Sequence, residues 1–304
     1  MQSNNELKEK ILNLKKQRNA VILAHNYQNP EVQDVADFVG DSLGLSIEAQ
    51  KTNADVIVFC GVYFMAETAK MLSPDKKVIM PDADAGCPLA NMILPEDLLK
   101  MKKEHPAAKV ICYVNSTAEI KALSDYCCTS ANALKIVEKL PYEEFIFVPD
   151  KNLGGFIKDK TNKKMHLWNG FCPVHMKFLP EAIEKLRKIY PAAKVMVHPE
   201  CDEKIVKMAD YALGTEGMLK HAREAEGENE YIVGTENGFI YRLSKEVPDK
   251  KFYELSPSAI CPNMKKITLE KLLWCLEDMQ PEIQVAVDVR EKALLAINRM
   301  IEVK

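Results

Sequence analysis

The chain has 304 residues, 47% of them hydrophobic, enough to bury a core across two domains or three small ones. Its 41 basic and 44 acidic residues nearly cancel and no long basic run occurs, which excludes nucleic acid as a favoured partner. No apolar run approaches the ~18 residues of a membrane span, and the first residues lack the apolar segment of a secretion signal, so nine cysteines, an odd number, point to free thiols or metal ligands in a reducing cytoplasm.

The chain opens with residues 6–17, followed by apolar strands at 21–24 and 57–60. A helix is expected near 95–104, a strand near 109–114, a helix near 117–123 and a short strand near 126–128. A helix over about 130–140, a strand at 145–148, a helix at 152–160 and a strand at 164–168 follow. Shifting the chain by 85 residues repeats this pattern without a gap. Pro106-Ala107-Ala108-Lys109-Val110 falls on Pro191-Ala192-Ala193-Lys194-Val195, Leu94-Pro95-Glu96 on Leu179-Pro180-Glu181, and Asp125-Tyr126 on Asp210-Tyr211. At an offset of 88, Ala36-Asp37-Phe38 falls on Ser124-Asp125-Tyr126, so the first part is a weaker third copy. A helix near 268–280 closes the pattern, and the acidic run at 224–230 reads as a surface connection.

Short Val/Ile-rich strands separated by helices indicate parallel βαβ units. The expected fold is therefore α/β: three pseudo-threefold-related αβα repeats, each with a small parallel sheet of about four strands, in a triangle. The domains are 1–86 with 265–304, then 87–171, then 172–264, with both chain ends on the first.

Ligands of parallel α/β units bind beyond the carboxyl ends of the strands. After the first strand the copies carry His25-Asn26-Tyr27, Tyr113-Val114-Asn115 and His198-Pro199-Glu200. After the second they carry Asp41-Ser42, Thr129-Ser130 and Gly214-Thr215. His25 to Ser42, Tyr113 to Ser130 and His198 to Thr215 are each 17 residues apart, so a ring of polar side chains around one axis is expected. The hydroxyls lie near helix starts, where they either cap backbone N–H groups or help bind an anion. After the third strand, Phe64 and Met65 form an apolar wall or plain core, and Glu236 is an acid facing the ligand or, the safer reading, a helix start.

Cys87-Pro88, Cys172-Pro173 and Cys261-Pro262 each follow the last strand of a copy, and no other cysteine precedes a proline. Three thiolates meeting on the axis can hold three corners of a [4Fe-4S] cluster, leaving one iron facing the polar ring. Zinc with His175 as fourth ligand is the alternative. Cys60, Cys112, Cys127, Cys128 and Cys275 read as core, and Cys201 stays open between the two readings.

His25-Asn26-Tyr27-Gln28, Gly40-Asp41-Ser42, Tyr113-Val114-Asn115-Ser116-Thr117, Cys127-Cys128-Thr129-Ser130-Ala131-Asn132, Cys172-Pro173-Val174-His175, His198-Pro199-Glu200-Cys201, Gly234-Thr235-Glu236 and Cys261-Pro262-Asn263-Met264-Lys265-Lys266 together resemble the quinolinate synthase family over essentially the whole chain. That resemblance implies three αβα domains in a triangle around a [4Fe-4S] cluster. It implies condensation of iminoaspartate with dihydroxyacetone phosphate to quinolinate, the pyridine precursor of NAD, with loss of phosphate and two waters. An aspartate-oxidising enzyme would supply the imine, which leaves room for transient contact with that enzyme. By resemblance Cys87, Cys172 and Cys261 are the cluster ligands, and Glu200 and Tyr27 are proton-transfer groups. His25, Tyr113 and His175 line the site, and Ser42, Asn115, Ser130, His198 and Thr215 anchor carboxylates and phosphate. One departure is Leu213-Gly214-Thr215, where the family commonly has Gly-Ser-Thr; the hydroxyl missing at Gly214 predicts weaker phosphate binding. An iron–sulfur (de)hydratase acting on another carboxylate and a non-enzymatic metal sensor are the competing readings.

Overall fold

Three four-stranded parallel sheets of identical strand order make up the computed structural model, which describes residues 3–302. The two outermost residues at each end, which the expected first domain includes, lie outside the described residues. The first unit runs α1 (Asn4–Gln17), β1 (Ala20–His25), α2 (Pro30–Val35), β2 (Phe38–Gly40), α3 (Ser42–Lys51), β3 (Val56–Cys60), α4 (Tyr63–Leu72) and β4 (Lys77–Ile79). The second runs α5 (Pro95–Glu104), β5 (Lys109–Tyr113), α6 (Ala118–Ala122), β6 (Tyr126–Cys128), α7 (Ala133–Lys139), β7 (Glu144–Val148), α8 (Lys151–Lys160) and β8 (Lys164–Leu167). The third runs α9 (Pro180–Ile189), β9 (Lys194–Val197), α10 (Glu203–Met208), β10 (Tyr211–Ala212), α11 (Thr215–Glu224), β11 (Glu230–Gly234), α12 (Gly238–Glu246) and β12 (Lys251–Glu254). Helices α13 (Leu269–Asp278) and α14 (Val287–Glu302) end the chain.

The sheets order as β2-β1-β3-β4, β6-β5-β7-β8 and β10-β9-β11-β12. The inner strand β3, Val-Ile-Val-Phe-Cys, is buried throughout, as expected where helices cover both faces of a sheet. The strand order reverses between the first and third strand of each unit, so a crevice opens at their carboxyl ends. The recurring aspartates explain themselves at this level. Asp37, Asp125 and Asp210 each accept, through the side chain, a backbone N–H of the first strand, from Ile22, Val110 and Val195 at 2.8, 2.9 and 2.8 Å. Each also donates its own N–H to the carbonyl of that same residue. The aspartate thus clamps the start of a two- or three-residue edge strand too short to hold its register alone. The Leu-Pro-Glu matches are helix starts, with Pro95 and Pro180 in the first turn, where a missing N–H costs nothing.

Helix α13 packs on α1, with Leu272, Cys275 and Leu276 against Leu7 and Ile11. Helix α14 does not follow it. Its buried residues Ala293, Ala296, Ile297 and Met300 pack on α6 and β6 of the second unit and touch α4. Asn132 Nδ2 reaches the Met300 carbonyl at 3.2 Å and Arg299 Nη1 the Asp125 carbonyl at 2.7 Å. The assignment of all of 265–304 to the first unit is therefore corrected for 287–302. The acidic run is also less free than expected, because Glu228 accepts from Tyr211 Oη at 2.6 Å and pairs with His221 at 2.9 Å. None of the nine cysteines is in a disulfide. No helix among the described residues is long and apolar enough to cross a membrane.

Candidate active site

A cavity of about 320 Å³ lies where the carboxyl ends of all three sheets converge, within the roughly 300–1,000 Å³ range of small-ligand sites. His25 ends β1, Tyr113 ends β5, and His198 follows β9. All thirteen residues nominated from the sequence line this cavity, although they come from three separate units. Phe64 and Met65 line it too and are also buried, so the wall and the core readings both hold.

Cys87, Cys172 and Cys261 are the three half-buried cysteines; the other six, Cys201 included, are buried. A single 3₁₀ turn follows each Cys-Pro step, at Leu89–Asn91, His175–Lys177 and Met264–Lys266. Each sulfur accepts the N–H groups two and three residues on: Leu89 and Ala90, Val174 and His175, Asn263 and Met264. The intervening proline has no N–H to offer and a φ already set for the turn, which is why the pair recurs. Burial pushes the Cys87 thiol up to about 12 and raises those of Cys172 and Cys261.

Glu200, whose carboxylate lies within 4.8 Å of the Cys172 sulfur, is the electrostatic centre. Its Oε2 lies 2.9 Å from His175 Nδ1 and 3.3 Å from His198 Nδ1, and Asn115 Nδ2 is 3.5 Å from Oε1. Burial pushes the Glu200 carboxyl up, but His175, His198 and a hydrogen bond from Tyr113 outweigh it and bring it down to about 2. The His175 Nδ1 contact lies off the hydrogen-bonding direction, so it is electrostatic and leaves that nitrogen unpartnered. His175 Nε2 and Tyr27 Oη both meet Thr235 Oγ1, at 2.9 and 2.7 Å. Nε2 is on Thr235 and Nδ1 faces Glu200, yet one ligand atom each of Cys172, His175 and Glu200 lies within 4.8 Å of the other two, so His175 stays within reach of a metal held by Cys172. Burial, then the Glu200 charge, raises the Tyr27 and Tyr113 phenols well above their ordinary value.

Two histidines have their tautomers set by the backbone. The Tyr27 N–H donates to His25 Nδ1 at 3.2 Å, and the Glu200 N–H donates to His198 Nδ1 at 3.3 Å. A backbone N–H only donates, so both rings carry their hydrogen on Nε2. Burial, with charged neighbours such as Arg242 for His25, lowers both to about 3, so both rings are neutral. His198 Nε2 then donates to Ser130 Oγ at 3.1 Å.

The capping role open to Ser42, Ser130 and Thr215 is not theirs. The N-caps of α3, α7 and α11 are Asp41, Asn132 and Gly214. Asp41 Oδ1 accepts the Gly44 N–H at 2.8 Å, and Ser42 and Thr215 are the first helical residues. The hydroxyls that face the cavity are thus left for a ligand. A Cβ on Gly214 would lie 3.0 Å from Ser130 Oγ, so the residue lacking the expected hydroxyl leaves room for its neighbour's.

The family model for Quinolinate synthetase A protein matches residues 9–302. This chain belongs to that family. It is 54% identical to a quinolinate synthase of Dehalococcoides mccartyi (strain CBDB1), over 98% of both chains. It is 50% identical to those of Geobacter metallireducens (98% of this chain, 97% of the relative) and Methanosarcina barkeri (98% of each). As a quinolinate synthase family member the chain is an enzyme, and the cavity at the meeting of its sheets is the place to seek its chemistry.

Around this cavity, four groups that the sequence reading named, Asp41 and Glu236 at strand ends and Thr235 and Lys265 within motifs, were not nominated there as site residues. Asp41 lines the cavity, and burial, reinforced by Glu216, raises its carboxyl to about 6. Thr235 bridges Tyr27 and His175, and Glu236, expected as a ligand-facing acid or a helix start, lines the cavity while the helix begins two residues later at Gly238. Its Oε2 accepts the Gly238 N–H at 2.7 Å, and its Oε1 accepts the Cys261 N–H at 3.0 Å and lies 3.0 Å from Lys265 Nζ. Glu236 and Lys265 therefore hold the third cysteine in place. Lys265 sits four residues after that cysteine, within the motif 261–266 that carries part of the family resemblance.

Proposed function

We propose that this chain condenses iminoaspartate with dihydroxyacetone phosphate to quinolinate, releasing phosphate and two waters. Atoms and electrons balance in that sum without an oxidant or reductant. The observation that carries the reading is the convergence of three thiols, the buried acids Glu200, Asp41 and Glu236, and a set of neutral donors on one cavity.

The donor set fits a [4Fe-4S] cluster. Three equivalent cysteines, each on its own turn, reach one wall, and each sulfur already accepts two backbone N–H groups of the kind that stabilise sulfur ligands. Cys87, Cys172 and Cys261 would hold it, and an iron without a protein ligand would supply Lewis-acid polarisation of a substrate oxygen.

The chain's own residues account for the proton chemistry. Glu200, ionised among His175, His198 and Tyr113, accepts a proton from carbon or nitrogen as the general base. Tyr27 and Tyr113 keep their phenolic protons and donate to a leaving or developing oxygen. Neutral His25 offers Nε2–H without competing for the proton. Phe64 and Met65 exclude water from an intermediate that must lose water. Ser42, Asn115, Ser130, His198 and Thr215 hold the substrate anions. The same reading keeps three αβα domains bounded near residues 86/87 and 171/172, with transient supply of the imine by the enzyme that makes it.

The test is iron and sulfide per chain, the visible spectrum and quinolinate formation in anaerobically purified protein, for wild type and Cys172→Ala. About four irons and four sulfides are expected, with quinolinate produced, and loss of all three in the variant. Zinc in their place, or no quinolinate from fully loaded protein, sinks the reading.

A further inference from the structure

Asn26 is fully buried between His25 and Tyr27, yet it faces the third unit rather than the cavity. Arg242 Nη1 donates to Asn26 Oδ1. A guanidinium has no acceptor, so this contact fixes which end of the Asn26 amide is oxygen. The amide nitrogen then points at Thr215 Oγ1, 2.8 Å away. An amide NH₂ can only donate, so Thr215 accepts and its own hydrogen must go elsewhere. Thr215 lines the cavity, and no acceptor among the described residues takes that hydrogen.

The lock is itself held. Arg242 also bonds Glu216, the residue after Thr215, and its Nε donates to Glu246 Oε1 at 2.6 Å. Two carboxylates face one guanidinium, so the assembly adds no net positive charge to the site. What it contributes is direction. Ser130 is the parallel case, since its oxygen accepts from His198 Nε2 and its hydrogen is likewise left over. Gly214, whose Cβ would crowd Ser130 Oγ at 3.0 Å, lies between the two hydroxyls.

We propose that Asn26 and Arg242 are positioning residues: they fix the Thr215 hydroxyl, already read as an anchor for a substrate anion beside Ser130, as a donor to the cavity. A hydroxyl whose oxygen already accepts from the protein keeps its one hydrogen free to donate, and that favours an anion. The proposal rests on the reading of the reaction above only for which substrate brings that anion. It also explains why the chain tolerates Gly214: two hydroxyls of fixed polarity bind where a third is absent.

The experiment is a double-mutant cycle on anaerobically purified holoenzyme with Thr215→Val, Asn26→Asp and the pair. Asp at 26 keeps a partner for Arg242 but turns the Thr215 hydrogen back onto itself. Inorganic phosphate and succinate, a four-carbon dicarboxylate, are titrated calorimetrically, and KM and kcat are measured for both substrates. Each single variant is expected to weaken one of the two anions by roughly ten- to a hundredfold, the usual worth of a hydrogen bond to a charged group. The matching substrate should show a raised KM with kcat less changed, and iron content should be retained. Asn26→Asp should cost little further in the Thr215→Val background. Weakened phosphate assigns the subsite to the triose phosphate, and weakened succinate assigns it to the amino-acid carboxylate. An equal cost of Asn26→Asp with and without the Thr215 hydroxyl would mean that the new charge acts directly and would overturn the proposal, as would unchanged affinity for both anions. Should Asn26→Asp lose its iron, Asn26→Ser serves in the same cycle; it releases the hydroxyl and should weaken the anion severalfold in wild type and not in Thr215→Val. Holoenzyme that binds the anions in this pattern but makes no quinolinate would refute the reaction and leave the subsite standing.

Discussion

In the proposed reaction Glu200 is the general base, and its environment makes a sharp expectation. Glu200→Gln keeps size and hydrogen bonding but removes the base. Quinolinate formation should fall by roughly a hundred- to ten-thousandfold, the range of general base catalysis, with iron and sulfide unchanged. Full activity in that variant would remove Glu200 from the mechanism. The buried neutral histidines make a second expectation, this one about stability. His25 and His198 bind their proton near pH 3 when folded and near 6.5 when unfolded. Between those values the unfolded chain holds more protons, so their contribution is present above about pH 6.5 and is lost as pH falls toward 3. Asp41, raised to about 6, works the other way with the raised Asp150 and Glu67, while Glu200, brought down to about 2, and the lowered Asp34 act with the histidines. The urea midpoint of the holoprotein should therefore drop on acidification below about pH 6.5, and less steeply in His198→Gln. A midpoint that rises on acidification would show that the rings are charged in the fold.

At the scale of elements, most of what positions the site could be read from the sequence because the chain repeats itself. The offset of 85 residues placed β5, β6 and β7 and the turns after them, and the 17-residue spacing marked the ring of polar groups. What the repeat could not show is which neighbour performs a shared task. The caps are Asp41, Asn132 and Gly214 rather than the hydroxyls. Helix α14 has no counterpart in the repeat, so nothing in the sequence said which sheet its Ala293, Ala296, Ile297 and Met300 face would cover. Gly238 is a third case, since its requirement arises from three segments at once. A Cβ there would stand 2.6 Å from Lys265 Nζ, 2.8 Å from Glu236 Oε2 and 2.8 Å from the Tyr27 carbonyl. The Lys265 end can move, but the Tyr27 backbone cannot without shifting the site. Gly238→Ala should therefore loosen the Glu236 hold on Cys261. The expected result is faster loss of iron to a chelator under anaerobic conditions, with a lower thermal midpoint. Iron retention equal to wild type would mean that the 3₁₀ turn after Cys261 holds the cysteine unaided.

For the whole molecule the decisive contacts are those between units, and they are the least legible of all. Asn26 meets Thr215 across 189 residues and Lys121 meets Thr68 across 53, separations at which sequence offers no pairing signal. Each seam carries its own tie near the cavity. First and third units join through Arg242 and Asn26, and also through Asp34, which accepts from Tyr241 Oη at 2.6 Å and Lys245 Nζ at 2.8 Å. Second and third join through Asn152 Nδ2 on the Glu200 carbonyl at 3.0 Å. First and second join through Lys121, which is fully buried. Its ammonium donates to Thr68 Oγ1 at 2.9 Å and the Phe64 carbonyl at 3.3 Å, and lies 5.1 Å from the centroid of the Phe64 ring that lines the cavity. Burial lowers its pKa, and nearby Glu67 opposes that by favouring the charged form. Lys121→Met fills the same space but leaves the Phe64 carbonyl and Glu67 without their cation. Losing hydrogen bonds from a charged donor and leaving buried groups unpaired should cost about 2–4 kcal/mol of stability in urea unfolding. Because the seam holds Phe64, KM for the substrates should rise as well, by a smaller factor than Glu200→Gln lowers kcat. If stability falls while KM stays at the wild-type value, the wall is held by its own packing and Lys121 serves the fold alone. If neither changes, the seam closes on apolar contact between α4 and α6, and the buried lysine is not what joins the first unit to the second.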